Sequence, residues 1–303
     1  MIIAFSDTHL KYYYDIKQKK EKSNSGELLS FLQSNLCQEL GQDDDLVLLG
    51  DIFEFWRRKN VDAVLESGEI LSELYHLKED NKVPIHYIQG NHDYSILGLY
   101  QNSKKYPFEV TPDWRYQSKD DGTDYYFVHG YQLAVFSNYE PLMNVEDYEN
   151  ICQSLCERSG DTIGTIMSTA YSIPKKLLHF LENFEESIKP EENKIDPLKK
   201  LKEKIDEIMK PADGDEREKE MDAVKNLTTS PLARSFFLGM KPEEFLIFGH
   251  THKPFCNIEK KVANTGSWVG DGDKVNTFVQ IDSEKVELKQ WKDGKVVPFP
   301  CEG

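Results

Sequence analysis

Apolar residues fall into short dense runs in the first third of the chain, separated by stretches with helical spacing. Residues 1–6 open as one such run, Met1-Ile2-Ile3-Ala4-Phe5. Over 26–39, Leu28, Phe31, Leu32 and Leu36 recur at the spacing of one helix face. Leu46-Val47-Leu48-Leu49 is a second run, ended by Gly50. Val64, Ile70, Leu71 and Leu74 predict another helix over 61–79, and Val83 to Ile88 a third strand, ended by Gly90. Alternating strands and helices imply a mainly parallel sheet covered by helices.

The pattern then changes. Residues 108–129 read as short strands with a hairpin turn at Asp121-Gly122, and Tyr125-Tyr126-Phe127-Val128 leads into His129-Gly130. From 137 to 236 no strand signal is present. Val145, Tyr148, Ile151 and Leu155 predict one helix there, and Leu177, Leu178, Leu181 and Phe184 another. Asp196-Pro197 has the form of a helix start. The stripe Ile195, Leu198, Leu201, Ile205 and Ile208 reads as a packing seam, and the Lys/Glu-rich run 185–225 as a solvated face or a mobile loop. Strands resume at Glu244 to Phe248, ended by Gly249, and continue at 262–264, 275–281 and 286–291, with turns at Asp271-Gly272 and Asp293-Gly294. The expected organisation is an α/β core, 1–136 with 237–303, interrupted by a helical insertion over 137–236. No fixed-period repeat is present.

Composition narrows the class. With 303 residues, 39% hydrophobic and 30% charged, the chain reads as a soluble globular protein. It has no apolar run of about 18 residues, so no membrane span is expected. Its opening lacks the basic region and long apolar stretch of a signal peptide. A net charge of -16 disfavours nonspecific nucleic-acid binding and broad adsorption to anionic lipid; peripheral membrane contact stays open. Five scattered cysteines argue against a disulfide framework and for a reducing cytosol. Cys152 and Cys156, four apart on one helix, read as packing residues rather than half of a zinc site.

Five predicted strands end in metal-ligand residue types. They give Asp7-Thr8-His9, Gly50-Asp51, Gly90-Asn91-His92-Asp93, His129-Gly130 and Gly249-His250-Thr251-His252. Strand carboxyl ends line one edge of an open α/β sheet, where ligands bind. Glycine lets the chain leave a buried strand sharply and approach a ligand closely. In extended backbone, Asp7 with His9 and His250 with His252 would each point to one side. Any one of these pieces is an ordinary polar turn, but five of the eight histidines occupy such positions. His76, His86 and His179 do not, and read as surface or packing residues.

In this order, D-x-H, G-D, G-N-H-D, H-G and G-H-T-H resemble the calcineurin-like metallophosphoesterase superfamily across the chain apart from the insertion. The resemblance implies a four-layer α/β sandwich of two central mixed sheets flanked by helices, with the site at one edge and the insertion as a helical cap. It implies that Asp7, His9 and His252 bind one divalent metal, that Asn91, His129 and His250 bind a second, and that Asp51 bridges both. His92 corresponds to a histidine contacting substrate phosphate, and Asp93 to its orienting partner. Such a metal pair clamps an in-line phosphoryl displacement and lowers the pKa of bound water. Imidazole, carboxylate and amide donors without thiolate favour Mn²⁺ or Fe, with Zn, Co or Ni open.

"LLGDIFEFW" at 48–56 and "NTGSW" at 264–268 resemble the UDP-2,3-diacylglucosamine hydrolase branch, in which a helical insertion caps the lipid arms of the substrate. Many bacterial members of that branch carry arginine where this chain has His92. The resemblance therefore implies phosphoester or pyrophosphate hydrolysis of a small or lipid-linked substrate more firmly than the lipid itself. Arg57, Arg58, Arg115 and Trp268 are candidate substrate contacts, the arginines because guanidinium pairs well with phosphate oxygens. Glu54, Phe55 and Trp56 line the pocket or pack behind Asp51, while Asn264, Thr265 and Gly266 are expected to buttress the His250 loop. A nucleic-acid or cyclic-nucleotide phosphodiesterase and a non-catalytic scaffold are the competing readings. The charge counts against a nucleic-acid substrate, and the complete ligand set against a scaffold. Oligomeric state stays open.

Overall fold

The computed structural model describes residues 1–15, 20–103, 105–118, 122–138, 144–157, 223–270, 273–283 and 285–301. Asp121, the turn expected at Asp271-Gly272, the helices expected around Leu177 and Asp196, and His179 lie outside the described residues, while Gly122 has the positive φ of a turn glycine.

Two sheets face each other. The first runs β14-β13-β12-β1-β4-β5-β6 and the second β10-β11-β9-β8-β7. In the first, β1 (Ile2–Phe5), β4 (Asp45–Leu48), β5 (Ile85–Ile88) and β6 (Glu109–Thr111) are parallel. The antiparallel strands β12 (Thr277–Asp282), β13 (Lys285–Lys292) and β14 (Lys295–Pro298) extend it past β1. The β13–β14 hairpin turns at Asp293 and Gly294, both at positive φ, as the sequence anticipates. The second sheet holds β7 (Asp113–Gln117), β8 (Asp124–Val128), β9 (Phe245–Phe248), β10 (Phe255–Asn257) and β11 (Val262–Asn264). A small ribbon pairs β2 (Tyr13–Asp15) with β3 (Lys20–Glu21). The short strands of 108–129 thus divide: β6 joins the first sheet, and the β7–β8 hairpin begins the second.

Period-two alternation builds the layers. Ile3, Phe5, Leu46, Leu48, Ile85 and Tyr87 face α1 (Ser25–Leu32) and α4 (Gly68–Glu79), meeting Leu28, Phe31, Leu74 and Leu77. Their neighbours Ile2, Ala4, Val47, Leu49 and Ile88 point the other way, onto Tyr125, Phe127, Phe245 and Ile247 of the second sheet. Tyr126, Val128, Leu246 and Phe248 form the outer face, packed on Leu133, Val224 and Met240. Each fully buried side chain of this size contributes about 1.5–3 kcal/mol relative to exposure. The expected helix over 61–79 is broken into α3 (Asn60–Glu66) and α4 at Ser67, whose hydroxyl donates to the Ala63 carbonyl at 2.7 Å. Helix α2 (Asn35–Gln38) likewise splits from α1. Further on come α5 (Ile96–Ser103), α6 (Tyr131–Asn138), α7 (Val145–Glu157) and α8 (Pro231–Leu238). Cys152 and Cys156 are buried packing residues of α7, as expected.

The cysteine reading needs correction. Cys256 and Cys301 form a disulfide across 45 residues, while Cys37, Cys152 and Cys156 are free and buried. Cys256 lies on β10 at an edge of the second sheet, and Cys301 follows β14 at an edge of the first. The pair therefore ties the edges of the two sheets together, a proximity invisible in an odd, scattered count. It also removes the cysteine argument for a reducing compartment. Cross-linking a loop of this length restricts the unfolded chain, so Cys301→Ser is expected to cost about 2–4 kcal/mol in guanidinium unfolding. Equal stability of the variant and the oxidised protein would show that the tether is energetically idle.

Candidate metal centre

Chain segments leaving β1, β4, β5, β8 and β9 meet at one edge of the sandwich. They do not leave it extended. Asp7, His9, Asp51, His250 and His252 all have positive φ, between 42° and 67°. The expectation that D-x-H and H-x-H pairs share a side through extended backbone is therefore corrected: left-handed turns, not strand pleat, bring them together. Such conformations cost a non-glycine residue about 1 kcal/mol or more. Hydrogen bonds hold them: Asp7 N–H to Gly50 O at 3.1 Å, His9 N–H to Asp51 O at 2.9 Å and Leu10 N–H to Ile52 O at 2.7 Å. Two glycines permit the close approach. A Cβ on Gly90 would strike the Asp51 backbone nitrogen and carboxylate, and one on Gly249 would strike Ser6 Oγ and the Asp7 carboxylate.

The donor atoms form two groups. In the first, His252 Nε2 stands 3.1 Å and His9 Nε2 3.9 Å from Asp7 Oδ1, and the two imidazole nitrogens are 3.3 Å apart. In the second, His129 Nε2 is 3.2 Å from Asp51 Oδ2, and His250 Nδ1 is 3.0 Å from Asn91 Oδ1. Asp7, His9 and His252, and separately Asp51, His129 and His250, each converge closely enough to hold one ion. Asp51 Oδ2 also lies 3.8 Å from His9 Nε2, which places it between the groups. Donors about 2.1 Å from a shared ion sit roughly 3 Å apart, so these separations suit coordination. Asp7 Oδ1 and His129 Nε2 are buried without a hydrogen-bond partner. Buried polar atoms are almost always satisfied, and cations at these two places would satisfy both. The residues fit the metal pair.

The electrostatics agree. Asp7, Asp51 and Glu54 are carboxylates with at most 1% exposure, gathered around imidazoles. Burial alone would push the His129 imidazole down, yet Asp51 and Asp7 draw it up to about 10. Burial likewise works against protonation of His92, but Glu54 and Asp51 raise it. His250 goes the other way, to about 3, because burial and the nearby His129 charge both oppose a proton. Burial opposes ionisation of Asp51, and His129, His92 and His9 nevertheless hold it well below the carboxylate range. The pocket is a sink for positive charge that protons fill when cations do not.

His92 is held by a residue sequence reasoning did not assign to it. Its Nδ1 lies 3.0 Å from Glu54 Oε1, and the other Glu54 oxygen lies 3.1 Å from His9 Nδ1. Trp56 stacks on the His92 ring at 4.0 Å and donates to the Asn91 carbonyl at 2.8 Å. The orienting contact expected from Asp93 thus comes from Glu54. Asp93 instead accepts from Gly90 N–H at 2.9 Å, Ile52 N–H at 2.7 Å and the Tyr87 hydroxyl, stitching the G-N-H-D turn to the Asp51 loop. A signal for Glu54 was present in its place three residues after Asp51, but nothing local shows which imidazole it meets.

The remaining candidates divide. Arg57 is close enough to oppose protonation of His92, and its guanidinium lies 4.0 Å from the Tyr12 ring centroid. Arg58 pairs with Glu66 at 2.9 Å. Arg115 lies over Tyr126, on the outer face of the second sheet, and pairs with Glu244 at 3.2 Å, away from the centre. Trp268 is wholly buried against Phe5 and Phe31 and donates to Thr277 O at 3.1 Å, so it is a core residue rather than a substrate contact. Asn264 donates to the Gly249 carbonyl at 2.7 Å, the buttressing expected of it, and Ser267 braces the neighbouring turn by donating to the Asp7 carbonyl at 3.0 Å. His76 and His86 pair with Asp80 and Asp45 outside the centre.

The sequence model of calcineurin-like phosphoesterases matches residues 1–254, and the chain belongs to that family. Its members are metal-dependent phosphoester hydrolases that hold two divalent ions. No curated protein matches the chain. Among solved structures, it is similar to the cold-active protein-tyrosine phosphatase of a psychrophile, Shewanella sp., at 14% identity, covering 99% of this chain and 80% of that one with a TM-score of 0.33. A second structure, of a cold-active protein tyrosine phosphatase, matches at 15% identity over 98% and 78%, also with a TM-score of 0.33. Likeness at that level says nothing about this chain's substrate.

Metal ligation needs neutral imidazole. His129 keeps its proton below about 10 in the metal-free protein, so metal uptake at pH 7 is expected to release about one proton there, and apparent affinity to fall as pH falls. Titration calorimetry in buffers of differing protonation enthalpy reads the release directly; identical heats in all buffers would contradict it.

Proposed function

We propose that the protein hydrolyses a phosphoester or pyrophosphate bond in a small or lipid-linked molecule at a two-metal centre. Asp7, His9 and His252 hold one ion, Asn91, His129 and His250 the other, and Asp51 is shared. The observation that carries this is the pair of orphaned buried atoms, Asp7 Oδ1 and His129 Nε2, with Asp51 Oδ2 between their groups. Bound there, divalent ions would polarise the phosphoryl oxygens and lower the pKa of coordinated water. Oxygen and nitrogen donors without thiolate favour Mn²⁺.

The chain's own residues supply orientation and a proton. Glu54 takes the Nδ1 edge of His92, leaving Nε2 to donate to a phosphoryl or leaving oxygen. Trp56 fixes the ring plane by stacking. Arg57 is the candidate for a further phosphate contact, supported by its proximity to His92. A UDP-2,3-diacylglucosamine-like substrate is the finer reading. It is supported by the "LLGDIFEFW" and "NTGSW" stretches and by the long insertion in the sequence. The charge of -16 favours this class over nucleic acid. Among the described residues no helix is long and apolar enough to cross a membrane. A cytoplasmic location is part of the same proposal.

With Mn²⁺ and bis(p-nitrophenyl) phosphate, Asp51→Asn is expected to abolish turnover while the fold survives, and His92→Ala to slow turnover at least tenfold with metal content unchanged. Full activity of Asp51→Asn would refute the shared ligand. Loss of both ions in His92→Ala would show that His92 is a ligand rather than a proton donor.

A further inference from the structure

Helix α7 reaches the His129 and His92 segments of the candidate centre from outside it. Tyr131, two residues after His129, donates its hydroxyl to Glu149 Oε1 at 2.6 Å. The Tyr131 ring packs on Tyr148 at 5.7 Å and edge-on against Tyr94 at 6.5 Å, the residue that follows Asp93. Two turns along α7 from Glu149, the Cys156 thiol donates to the His92 carbonyl at 3.5 Å. That carbonyl also accepts from Phe55 N–H at 3.1 Å. Positions 149, 152 and 156 share one helix face, and Cys152 and Cys156 are fully buried on it. Burial, then the Glu149 carboxylate, raises both the Tyr94 and the Tyr131 hydroxyls, so they remain donors at neutral pH.

One carboxylate outside the centre thus grips the segment that follows His129, and through the Tyr131 ring and Cys156 the same helix meets the segment around Asp93. Those segments carry members of the second metal group, His129 and Asn91, and the neighbouring His92. We propose that Glu149 is a positioning residue that locks α7 onto these two segments and so sets the spacing of His129 from Asn91 and His92. The inference rests on the two-metal reading and goes beyond it, because Glu149 touches neither ion nor substrate. Tyr131 is its partner, and Cys156 is the second anchor of the same helix. First-group residues Asp7 and His9 are held by other contacts, through Gly50, Asp51 and Ser267. Loosening α7 therefore affects the second ion more than the first.

The test compares Glu149→Ala, Glu149→Gln, Tyr131→Phe and the double variant Glu149→Ala/Tyr131→Phe. Metal per chain is measured after dialysis, and kcat and KM with bis(p-nitrophenyl) phosphate and Mn²⁺. Glu149→Ala and Tyr131→Phe are expected to lower kcat roughly tenfold with KM within about twofold, and to weaken retention of one ion of the two. Glu149→Gln keeps an acceptor oxygen for Tyr131 and is expected to recover most of the loss. The double variant should be no worse than the worse single one, because both changes cut one link. Wild-type kcat and metal content in Glu149→Ala, equal damage from Gln and Ala, or additive losses in the double variant would each overturn the inference. If Glu149→Ala does not fold, Tyr131→Phe, which keeps the ring packing, decides the matter by the same readouts. A wild-type protein that takes up no metal pair would fail the two-metal reading itself, a result distinct from any of these.

Discussion

Three carboxylates buried among imidazoles impose the central constraint on this molecule. Asp7, Asp51 and Glu54 are sealed from solvent, and burying unpaired negative charge costs several kcal/mol for each ion. Something positive must sit with them. Protonated histidine supplies it in part, as the upward pull on His129 and His92 shows. Two divalent cations would supply it more completely and free His129 to act as a ligand. The left-handed turns at Asp7, His9, Asp51, His250 and His252 follow from the same demand, since local strain is tolerable where the surroundings over-determine the geometry.

The sandwich makes that concentration of charge possible. Its parallel strands deliver five loops to one edge, and the alternating apolar positions of β1, β4 and β5 anchor those loops on both faces. Polar connections behind the loops then absorb the remaining donors and acceptors. Asp93 takes up backbone N–H groups of two loops, Asn264 braces the turn at Gly249, and Ser267 braces Asp7. Helix α7 joins the same scaffold through Glu149 and Cys156.

Much of this was legible in the sequence because strand ends are marked locally. An apolar run stopping at glycine and followed by ligand-type residues announces both the end of a strand and the chemistry placed there, as in "GNHD" and "GHTH". The unbroken apolar run of Ile2 to Phe5 likewise announces a strand buried on both faces. What stayed hidden depends on pairing across the fold. Glu54 and Asp93 are both acids near a histidine in sequence, and only tertiary placement gives His92 to Glu54. Trp268 and Arg115 are residue types that serve a core or a surface as readily as a binding site. Cys256 meets Cys301 only because β10 and the tail after β14 end at neighbouring sheet edges. The left-handed backbone of Asp7, His9, Asp51, His250 and His252 was hidden too, since aspartate and histidine enter that region without a glycine to mark it.

Anomalous scattering from crystals grown with Mn²⁺ tests the central claim most directly. The expected result is two ions about 3.5–4 Å apart, one beside Asp7, His9 and His252, the other beside Asn91, His129 and His250, with the Asp51 carboxylate between them. A single ion, or ions bound away from Asp51, would contradict it.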